Sequence, residues 1–464
     1  MRALLRSILV LLILAVIAAG GAWFWAGRQP GPGITIRGPE AFVGQSTPLD
    51  LMIESPDGLV SNVTATIEQG GTTYPVFDLQ PDARPSGSEG SANKLYVSRP
   101  VGKRVVPDLK AGQAKLSVTA SRPVLFGRRQ VATTVTRDVQ VRLDPPKVAV
   151  LSTFHYINHG GAEFVVYSAT PADVTSGVMV GTREYRGYPG SAVGIADPNV
   201  RVAFFGLLHD QPLNAPISVF ARDDAGNQAT AVLDRMPFAK PFAKSRIAID
   251  DRFLEKVVPA IVEHTPDMGL SAEPDKLLQS FLTINGSLRQ RNAQTIAELS
   301  EKSAPNMMWS EPFQPLGNAS VEARFADART YVYDGKDVDH QTHLGFDLAV
   351  TQQVAITAAQ RGVVVHADYL GIYGNCVIID HGLGVQTLYG HLSSIAVKVG
   401  DKVSKGQGIG RSGMTGLAAG DHLHFTVLVG GAPVNAVEWW DQKWMQDRVF
   451  RKIEAAGGTV NVTP

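Results

Sequence analysis

Seven of the eleven histidines of this chain lie between His340 and His424, in less than a fifth of its length. They include three short segments: His343-Leu-Gly-Phe-Asp347, Tyr389-Gly-His391 and Asp421-His422-Leu-His424. Histidine is the commonest metal ligand and exchanges protons near neutral pH. This density of histidine, with an aspartate among them, predicts a metal-dependent hydrolytic site.

The spacing within two of these segments places side chains on common faces. The run that contains His422 and His424 is typical of a strand, in which alternate residues share a face and Leu423 points into the core. The two histidines would be separated by roughly 6.5 Å of strand rise. His343 and Asp347 are four residues apart, an even offset that also gives one face if the segment is extended.

A catalytic zinc ion takes about three protein ligands and a water, and it accepts imidazole nitrogen and carboxylate oxygen. His343, Asp347 and one histidine of the pair would complete such a set. Spacing alone leaves open whether His422 or His424 binds. It also leaves open a three-histidine site in which Asp347 is an outer partner.

Three motifs in this order resemble the M23, or LytM-type, family of zinc metallopeptidases over roughly residues 318–437. They are His343-x-x-x-Asp347, Tyr389-Gly-His391-Leu392 and Gly420-Asp-His422-Leu-His424-Phe425. The resemblance implies that Zn2+ is bound by His343, Asp347 and His424. It implies catalysis by His391 and His422, one as general base and the other as oxyanion stabiliser, in an order that the sequence leaves open.

The same resemblance implies a peptidase that hydrolyses peptide cross-links of bacterial peptidoglycan. Two departures from the family pattern are visible: Thr426 stands where glutamate is frequent, and Asn435-Ala436 stands where Asn-Pro is frequent. We expect neither to contact a ligand. A non-catalytic envelope scaffold, or an activator of other cell-wall hydrolases, is the alternative, and the complete ligand set favours the enzyme.

The N-terminus predicts a membrane anchor over residues 1–29. Arg2 and Arg6 precede an apolar run of the length that crosses a hydrocarbon core, and Trp23-Phe-Trp25 would lie at the far interface. A cleaved signal peptide is the rival interpretation. The positive-inside rule then predicts a single-pass protein of the bacterial inner (cytoplasmic) membrane, with its catalytic domain in the periplasm or otherwise outside that membrane.

Composition bounds the remaining possibilities. The formal net charge of the 464-residue chain is zero, so no nucleic-acid partner is expected. Its single cysteine, Cys376, excludes an intramolecular disulfide, and its apolar neighbours predict a buried thiol.

The chain is predicted to be mostly β, with two β-sandwich (Ig-like) domains at 33–144 and 145–236. Short β-rich runs alternate with turn residues in both regions. A polar loop is predicted at Arg84–Ser91, and His155 and His159 are expected at the surface or in turns. Envelope protein partners could bind the β-domains or the helical segment that follows, but fold-level analogy assigns no function to them.

A helical segment is predicted over 246–305, after a stiff linker at Pro237–Lys244. Asp250 or Asp251 could cap its first helix, Pro259 would kink or end that helix, and Asn285-Gly286 would break the second. The segment could be a spacer, a docking arm or a lid that limits access to the zinc cleft.

An antiparallel β LytM-type catalytic domain is predicted over 318–456. Within it, Tyr389 would hydrogen-bond near the site or pack in the core. Trp439 lies in a predicted C-terminal helix that packs against the sheet, and it could contact substrate if it is exposed.

Overall fold

The computed structural model describes residues 2–56, 59–79 and 94–459. The polar loop predicted at Arg84–Ser91 lies outside the described residues. The chain divides into two compact units, the first made of Met1–Pro146 with Arg222–Gln228 and the second of Lys147–Ala221 with Ala229–Pro464.

The first unit begins with a long apolar helix. Helix α1 (Arg2–Ala26) contains one stretch, Arg6–Ala26, that is long and apolar enough to cross a membrane. An N-terminal signal sequence has the same properties, so the helix fits either a membrane span or a signal.

Two sheets with one common core follow. The strands are β1 (Gly33–Gly38), β2 (Phe42–Val43), β3 (Thr47–Glu54), β4 (Asn62–Gln69), β5 (Thr72–Leu79), β6 (Lys94–Val101), β7 (Gly112–Val124) and β8 (Arg129–Val141). They form sheets of order β1-β3-β6 and β2-β8-β7-β4-β5. Burial alternates along β3 and β4, so each sheet turns one apolar face to the core, as period-2 patterning requires. The chain is mostly β as predicted, and the Ig-like assignment stays a prediction.

The second unit opens with another strand-rich block. Its strands are β9 (Lys147–Val150), β10 (His155–Asn158), β11 (Ala162–Thr170), β12 (Thr175–Val180), β13 (Arg183–Arg186), β14 (Tyr188–Pro189), β15 (Val200–Gly206), β16 (Ile217–Arg222), β17 (Gln228–Val232) and β18 (Arg235–Phe238). They form sheets of order β14-β15-β11-β9 and β13-β12-β16-β17, and β10 pairs with β18. The surface position expected for His155 is wrong: its ring is buried between Ser152 Oγ and Asp234 O.

The helical segment starts from strand β19 (Lys244–Ile249) and continues as α2 (Asp251–Glu263), α3 (Leu277–Thr283) and α4 (Arg289–Glu301). Asp250 caps α2 by accepting a hydrogen bond from Phe253 N, and α2 continues past Pro259. The break predicted at Asn285-Gly286 is wrong. A π-turn at Ile284–Leu288 joins α3 to α4, because the Asn285 side chain is buried and hydrogen-bonded to the Asp339 carboxylate.

The remaining strands build the sheet that carries the histidine motifs. They are β20 (Ser320–Ala323), β21 (Asp327–Tyr333), β22 (Lys336–His343), β23 (Phe346–Ala349), β24 (Ala355–Thr357), β25 (Gly362–Tyr369), β26 (Asn375–Asp380), β27 (Val385–Leu392), β28 (Ser394–Ile395), β29 (Lys402–Val403), β30 (Gly408–Arg411), β31 (Leu423–Val429) and β32 (Ala432–Val434). The main sheet has the order β20-β23-β31-β27-β26-β25-β29, with β32 beside β31, and all its pairs are antiparallel. A smaller sheet, β19-β21-β22, joins the helical segment to this region through the parallel pair β19–β21.

The chain ends in short helices that cover the sheet: α5 (Val437–Trp440), α6 (Gln442–Met445) and α7 (Arg451–Ala455). Trp439 is fully buried and packs against Trp309, Phe313 and Phe204, the last of which belongs to the preceding β-block. Trp439 therefore cannot contact a substrate. Instead, it joins the β-block and the histidine-bearing region in one core.

The buried carboxylate of Glu438 makes hydrogen bonds between the same two regions. Its two oxygens accept hydrogen bonds from Asn158 Nδ2 (2.6 Å) and Ala162 N (2.7 Å). Burial raises the pKa of Glu438 to about 7. A folded-state pKa above the unfolded value means that the folded state binds the proton more tightly. The corresponding stability is present below the unfolded pKa and is lost as pH rises through about 7.

We expect Glu438→Gln to remove this pH dependence. The glutamine can accept from Ala162 N and donate to a flipped Asn158 amide, so it keeps both contacts without a charge. Between pH 4.5 and 8 the wild type should lose up to roughly 3 kcal/mol of unfolding free energy relative to the variant. Denaturant unfolding of both proteins at several pH values measures the difference, and a constant difference would contradict the prediction.

Candidate metal centre and cleft

Three neighbouring strands and the end of a fourth bring the histidine motifs together. In the order β23-β31-β27, Asp347 pairs with His424, and His424 pairs with Gly390. His391 follows Gly390 on β27, and His343 ends β22. The antiparallel register therefore converts motifs that are 77 to 81 residues apart into hydrogen-bonding neighbours.

The condition under which the even offset of His343 and Asp347 would give one face, a single extended segment, is not met. They lie on two strands of different sheets, β22 and β23, and the chain turns between them at Gly345. A Cβ atom at Gly345 would lie 2.5 Å from His424 Nε2, so this turn requires glycine. The two side chains nevertheless meet, with His343 Nε2 lying 2.9 Å from Asp347 Oδ1.

A backbone carbonyl determines the tautomer of His343. Its Nδ1 lies 3.1 Å from Arg324 O, which can only accept, so Nδ1 carries the hydrogen. The lone pair of Nε2 therefore faces Asp347 Oδ1 and His424 Nδ1, which lies 3.1 Å away. Metal-binding histidines commonly donate their other N–H to a backbone carbonyl in this way.

The ring of His424 is oriented by Thr426. The Thr426 hydroxyl donates to Leu344 O at 3.0 Å, so it can only accept from His424 Nε2 at 3.1 Å. Nε2 therefore carries the hydrogen, and the lone pair of Nδ1 faces Asp347 Oδ1 at 3.0 Å. The expectation that Thr426 does not contact a ligand candidate is wrong. Burial lowers the pKa of His424 to about 4, so its ring is neutral near pH 7.

The donor set fits a zinc ion. His343 Nε2, His424 Nδ1 and one oxygen of Asp347 are buried lone-pair atoms 2.9–3.1 Å apart, with no hydrogen to share among them. Such a cluster is electrostatically unfavourable without a cation. Two ligands of one tetrahedral zinc at about 2.0–2.1 Å would lie roughly 3.3 Å apart, close to these separations. The site thus offers three ligands of the types that zinc accepts.

Arg329 holds the other oxygen of the aspartate. Its Nη2 lies 3.1 Å from Asp347 Oδ2, and its Nε lies 3.3 Å from the carboxylate of Asp327. Only Oδ1 of Asp347 faces the histidines. Burial would raise the pKa of Asp347, but its interactions with the neighbouring histidines, that with His343 being the largest, hold the pKa well below its usual value. The aspartate is therefore ionised.

His391 lies beside this cluster with one nitrogen free. Its Nδ1 donates to Thr415 O at 2.8 Å, so the lone pair is on Nε2. Its backbone has a φ of 62°, an uncommon conformation outside glycine that is often found at functional sites. Burial lowers the pKa of His391 well below the ordinary value, and the neighbouring His422 and His424 lower it further. His391 is therefore a neutral acceptor near pH 7.

His422 faces the same space from the loop before β31. Its ring centroid lies 4.8 Å from that of His391, and its Nδ1 donates to Gly420 O at 2.9 Å. Its Nε2 lies 3.4 Å from Asp347 Oδ1. Burial would lower the pKa of His422, but Asp347 raises it above the usual value. The structure therefore brings all five predicted side chains together, and their individual roles stay predictions.

The cluster opens into a cleft of about 480 Å³ that sequence reasoning described only in part. Tyr389 does not line it, since its hydroxyl accepts from Ala359 N in the core. Tyr373 lines it instead, with its ring centroid 5.4 Å from that of His424. The helical segment forms part of the wall through Phe253 and Arg289. No histidine motif signals Tyr373, Arg289 or Arg329, because each reaches the cleft from another element.

Thr426→Val should weaken metal binding, because valine has nearly the shape of threonine but cannot accept the His424 Nε2 hydrogen. Loss of an outer partner of a metal-binding histidine typically costs roughly 10–100-fold in affinity. Competition with a zinc chelator measures the dissociation constant. Thr426→Ser is the matched control and should bind zinc as the wild type does. Equal zinc affinity for the valine variant would show that this hydroxyl does not orient the ring.

The segment that carries these histidines is similar to known proteins. The model of peptidase family M23 matches residues 341–436. Peptidoglycan DD-endopeptidase ShyA of Vibrio cholerae is 33% identical over 165 residues, which are 35% of this chain and 35% of ShyA. DD-carboxypeptidase/endopeptidase Mpg of Neisseria meningitidis is 42% identical over 95 residues, which are 20% of this chain and 22% of Mpg. The match thus spans about a third or less of either relative's length.

A solved structure of a Pseudomonas aeruginosa protein assigned to peptidase M23 covers 60% of this chain and 91% of its own. The two align with a TM-score of 0.35 and 17% identity.

Proposed function

We propose, from the premise that the chain carries a peptidase family M23 domain at residues 341–436, that it is a zinc metalloendopeptidase that hydrolyses peptide cross-links of bacterial peptidoglycan. The observation that carries the proposal is the convergence of three buried lone-pair atoms beside two further histidines. The substrate class is supported by ShyA and Mpg, whose names describe endopeptidases, in the case of ShyA one that acts on peptidoglycan.

In the proposed site, His343, Asp347 and His424 hold the ion. Zinc would supply a water of lowered pKa and polarise the scissile carbonyl. The hydrogen bonds from His343 to Arg324 O and from His424 to Thr426 keep both lone pairs directed inward. Arg329 keeps the second oxygen of Asp347 occupied.

The two remaining histidines divide the proton transfers. His391 is neutral with a free Nε2, so it accepts the proton of the attacking water. Asp347 raises the pKa of His422, so His422 is the better proton donor, and its Nε2 can stabilise the oxyanion. Thr415 O and Gly420 O fix both rings for these roles.

The apolar helix α1 supports an envelope location. As an uncleaved anchor it would make a single-pass protein of the inner membrane, with the M23 domain in the periplasm, where peptidoglycan is accessible.

Digestion of defined cross-linked muropeptides, followed by mass spectrometry, tests the function. We expect cleavage within the peptide cross-link, loss of cleavage with a chelator, and recovery when Zn2+ is restored. Zinc-loaded protein that leaves every cross-link intact would contradict the proposal and favour the alternative of a non-catalytic scaffold or activator of other wall hydrolases.

A further inference from the structure

The helical segment contributes a charged side chain to the cleft. Arg289, the first residue of α4, lines the same cavity as His343, His391 and His424. It is brought there by the π-turn at Ile284–Leu288, which inserts an extra residue into the helical path. Such turns are rare in proteins, and those that occur are frequently found at functional sites.

One edge of the Arg289 guanidinium is fixed. Nε donates to Asn285 O at 3.2 Å, and Nη2 donates to Asn285 Oδ1 at 2.7 Å. Asn285 is fully buried, and its Nδ2 donates to Asp339 Oδ2 at 2.7 Å. The orientation of the arginine is therefore set by a buried amide that is itself held by a carboxylate.

The opposite edge of this guanidinium is free. Arginine has five N–H donors, and the contacts with Asn285 use one on Nε and one on Nη2. Within the described ranges 2–56, 59–79 and 94–459, Nη1 has no hydrogen-bond partner and no carboxylate pairs with Arg289. The Nη1–Nη2 edge thus keeps the two parallel donors that bind a carboxylate in a bidentate manner.

Two other charged groups of the cleft, Arg329 and Asp421, have partners of their own. Arg329 pairs with Asp327 and Asp347. Asp421 accepts hydrogen bonds from Ser412 Oγ and Gln353 N. Arg329 thus faces two carboxylates, whereas Arg289 is paired with none among the described residues, so Arg289 is the cleft arginine whose charge is available to a ligand carboxylate.

Arg289 also interacts electrostatically with Tyr373, which lines the same cleft. Its charge acts on the hydroxyl of Tyr373, whose ring centroid lies 5.4 Å from that of His424. Because Arg289 and Tyr373 line the same cleft as the histidines, a peptide held by the guanidinium would lie in the cavity that contains the proposed catalytic centre.

We propose that Arg289 is a specificity-determining residue that binds a free carboxylate of the cross-linked peptide in the cleft. The enzyme then prefers cross-links with a carboxylate near the scissile amide over those in which this group is a carboxamide. A carboxamide presents one acceptor and two donors, so it cannot accept both parallel hydrogen bonds. Asn285 is a positioning residue in this arrangement. This inference rests on the proposed function.

The test uses two synthetic cross-linked peptides that differ only in carboxylate or carboxamide at that position, with the full-length protein in detergent. For the wild type, kcat/KM should be roughly 10–100-fold higher on the carboxylate peptide, as expected for hydrogen bonds between charged groups. In Arg289→Gln this ratio should fall to about one, because the KM of the carboxylate peptide rises. Arg289→Lys keeps the charge but not the fork and should give an intermediate ratio.

Arg291→Gln is the matched control, since Arg291 is exposed on the same helix and paired with Asp267. It should keep the wild-type ratio. A wild-type ratio near one, or a ratio that is unchanged in both Arg289 variants, would overturn this inference while leaving the hydrolase intact. Absence of cleavage of both peptides by zinc-loaded wild type would instead overturn the proposed function.

Discussion

His424→Ala is expected to lose bound zinc and hydrolytic activity together. His424 contributes one of three lone pairs that lie within 3.1 Å of each other, and alanine leaves two ligands for the ion. Since loss of an outer partner alone costs roughly 10–100-fold in metal affinity, loss of a ligand should exceed that range. Metal analysis of the purified protein and digestion of cross-linked muropeptides give the two readouts.

His340→Ala provides the comparison. His340 belongs to the same histidine-rich stretch, but it is exposed and its Nδ1 lies 3.2 Å from the hydroxyl of Thr330. This variant should keep zinc and activity. If His424→Ala retains one zinc per chain and normal turnover, the proposed ligand set is incorrect.

His391→Ala is expected to separate metal binding from catalysis. His391 is not among the three converging ligand atoms, so zinc should stay stoichiometric. Its free Nε2 is the proposed acceptor of the water proton, and loss of a general base typically costs roughly 100–10,000-fold in rate. The measurement is kcat on a muropeptide at matched zinc content.

His366→Ala is a control on the same sheet, because its ring is hydrogen-bonded to Asp368 O and lies outside the cleft. We expect wild-type kcat from it. Near-normal kcat in His391→Ala would exclude His391 as the base. Loss of zinc in that variant would instead make His391 a ligand.

The sequence predicted which side chains meet, but only part of how they are held. Alternation predicted His422 and His424 on one side of a strand and Leu423 in the core; Leu423 is buried and both histidines approach Asp347, but His422 lies in the loop before β31. The pairing of β23 with β31, which brings Asp347 to His424, is a long-range contact that periodicity does not encode. Thr426 looked like a neutral departure because its contact with His424 depends on a carbonyl from another strand.

The same distinction applies to the fold. The N-terminal helix, the mostly β architecture and the buried thiol of Cys376 follow from local composition and were predicted. The continuous helix through Asn285-Gly286 was not, since a tertiary hydrogen bond to Asp339 outweighs the local preference for a turn. Likewise, the burial of Trp439 depends on aromatic residues more than 100 positions earlier in the chain.

The position of His343 at the end of β22 also bears on the stability of the cleft. That strand belongs to the small sheet shared with β19 and the helical segment, whereas Asp347 and His424 belong to the main sheet. Under the proposed ligand assignment, the ion would link the small sheet, through His343, to the main sheet, through Asp347 and His424. Removal of the ion would then loosen the packing between the cleft wall that contains Arg289 and the strands that carry the reacting histidines. Substrate selection and catalysis would therefore be lost together.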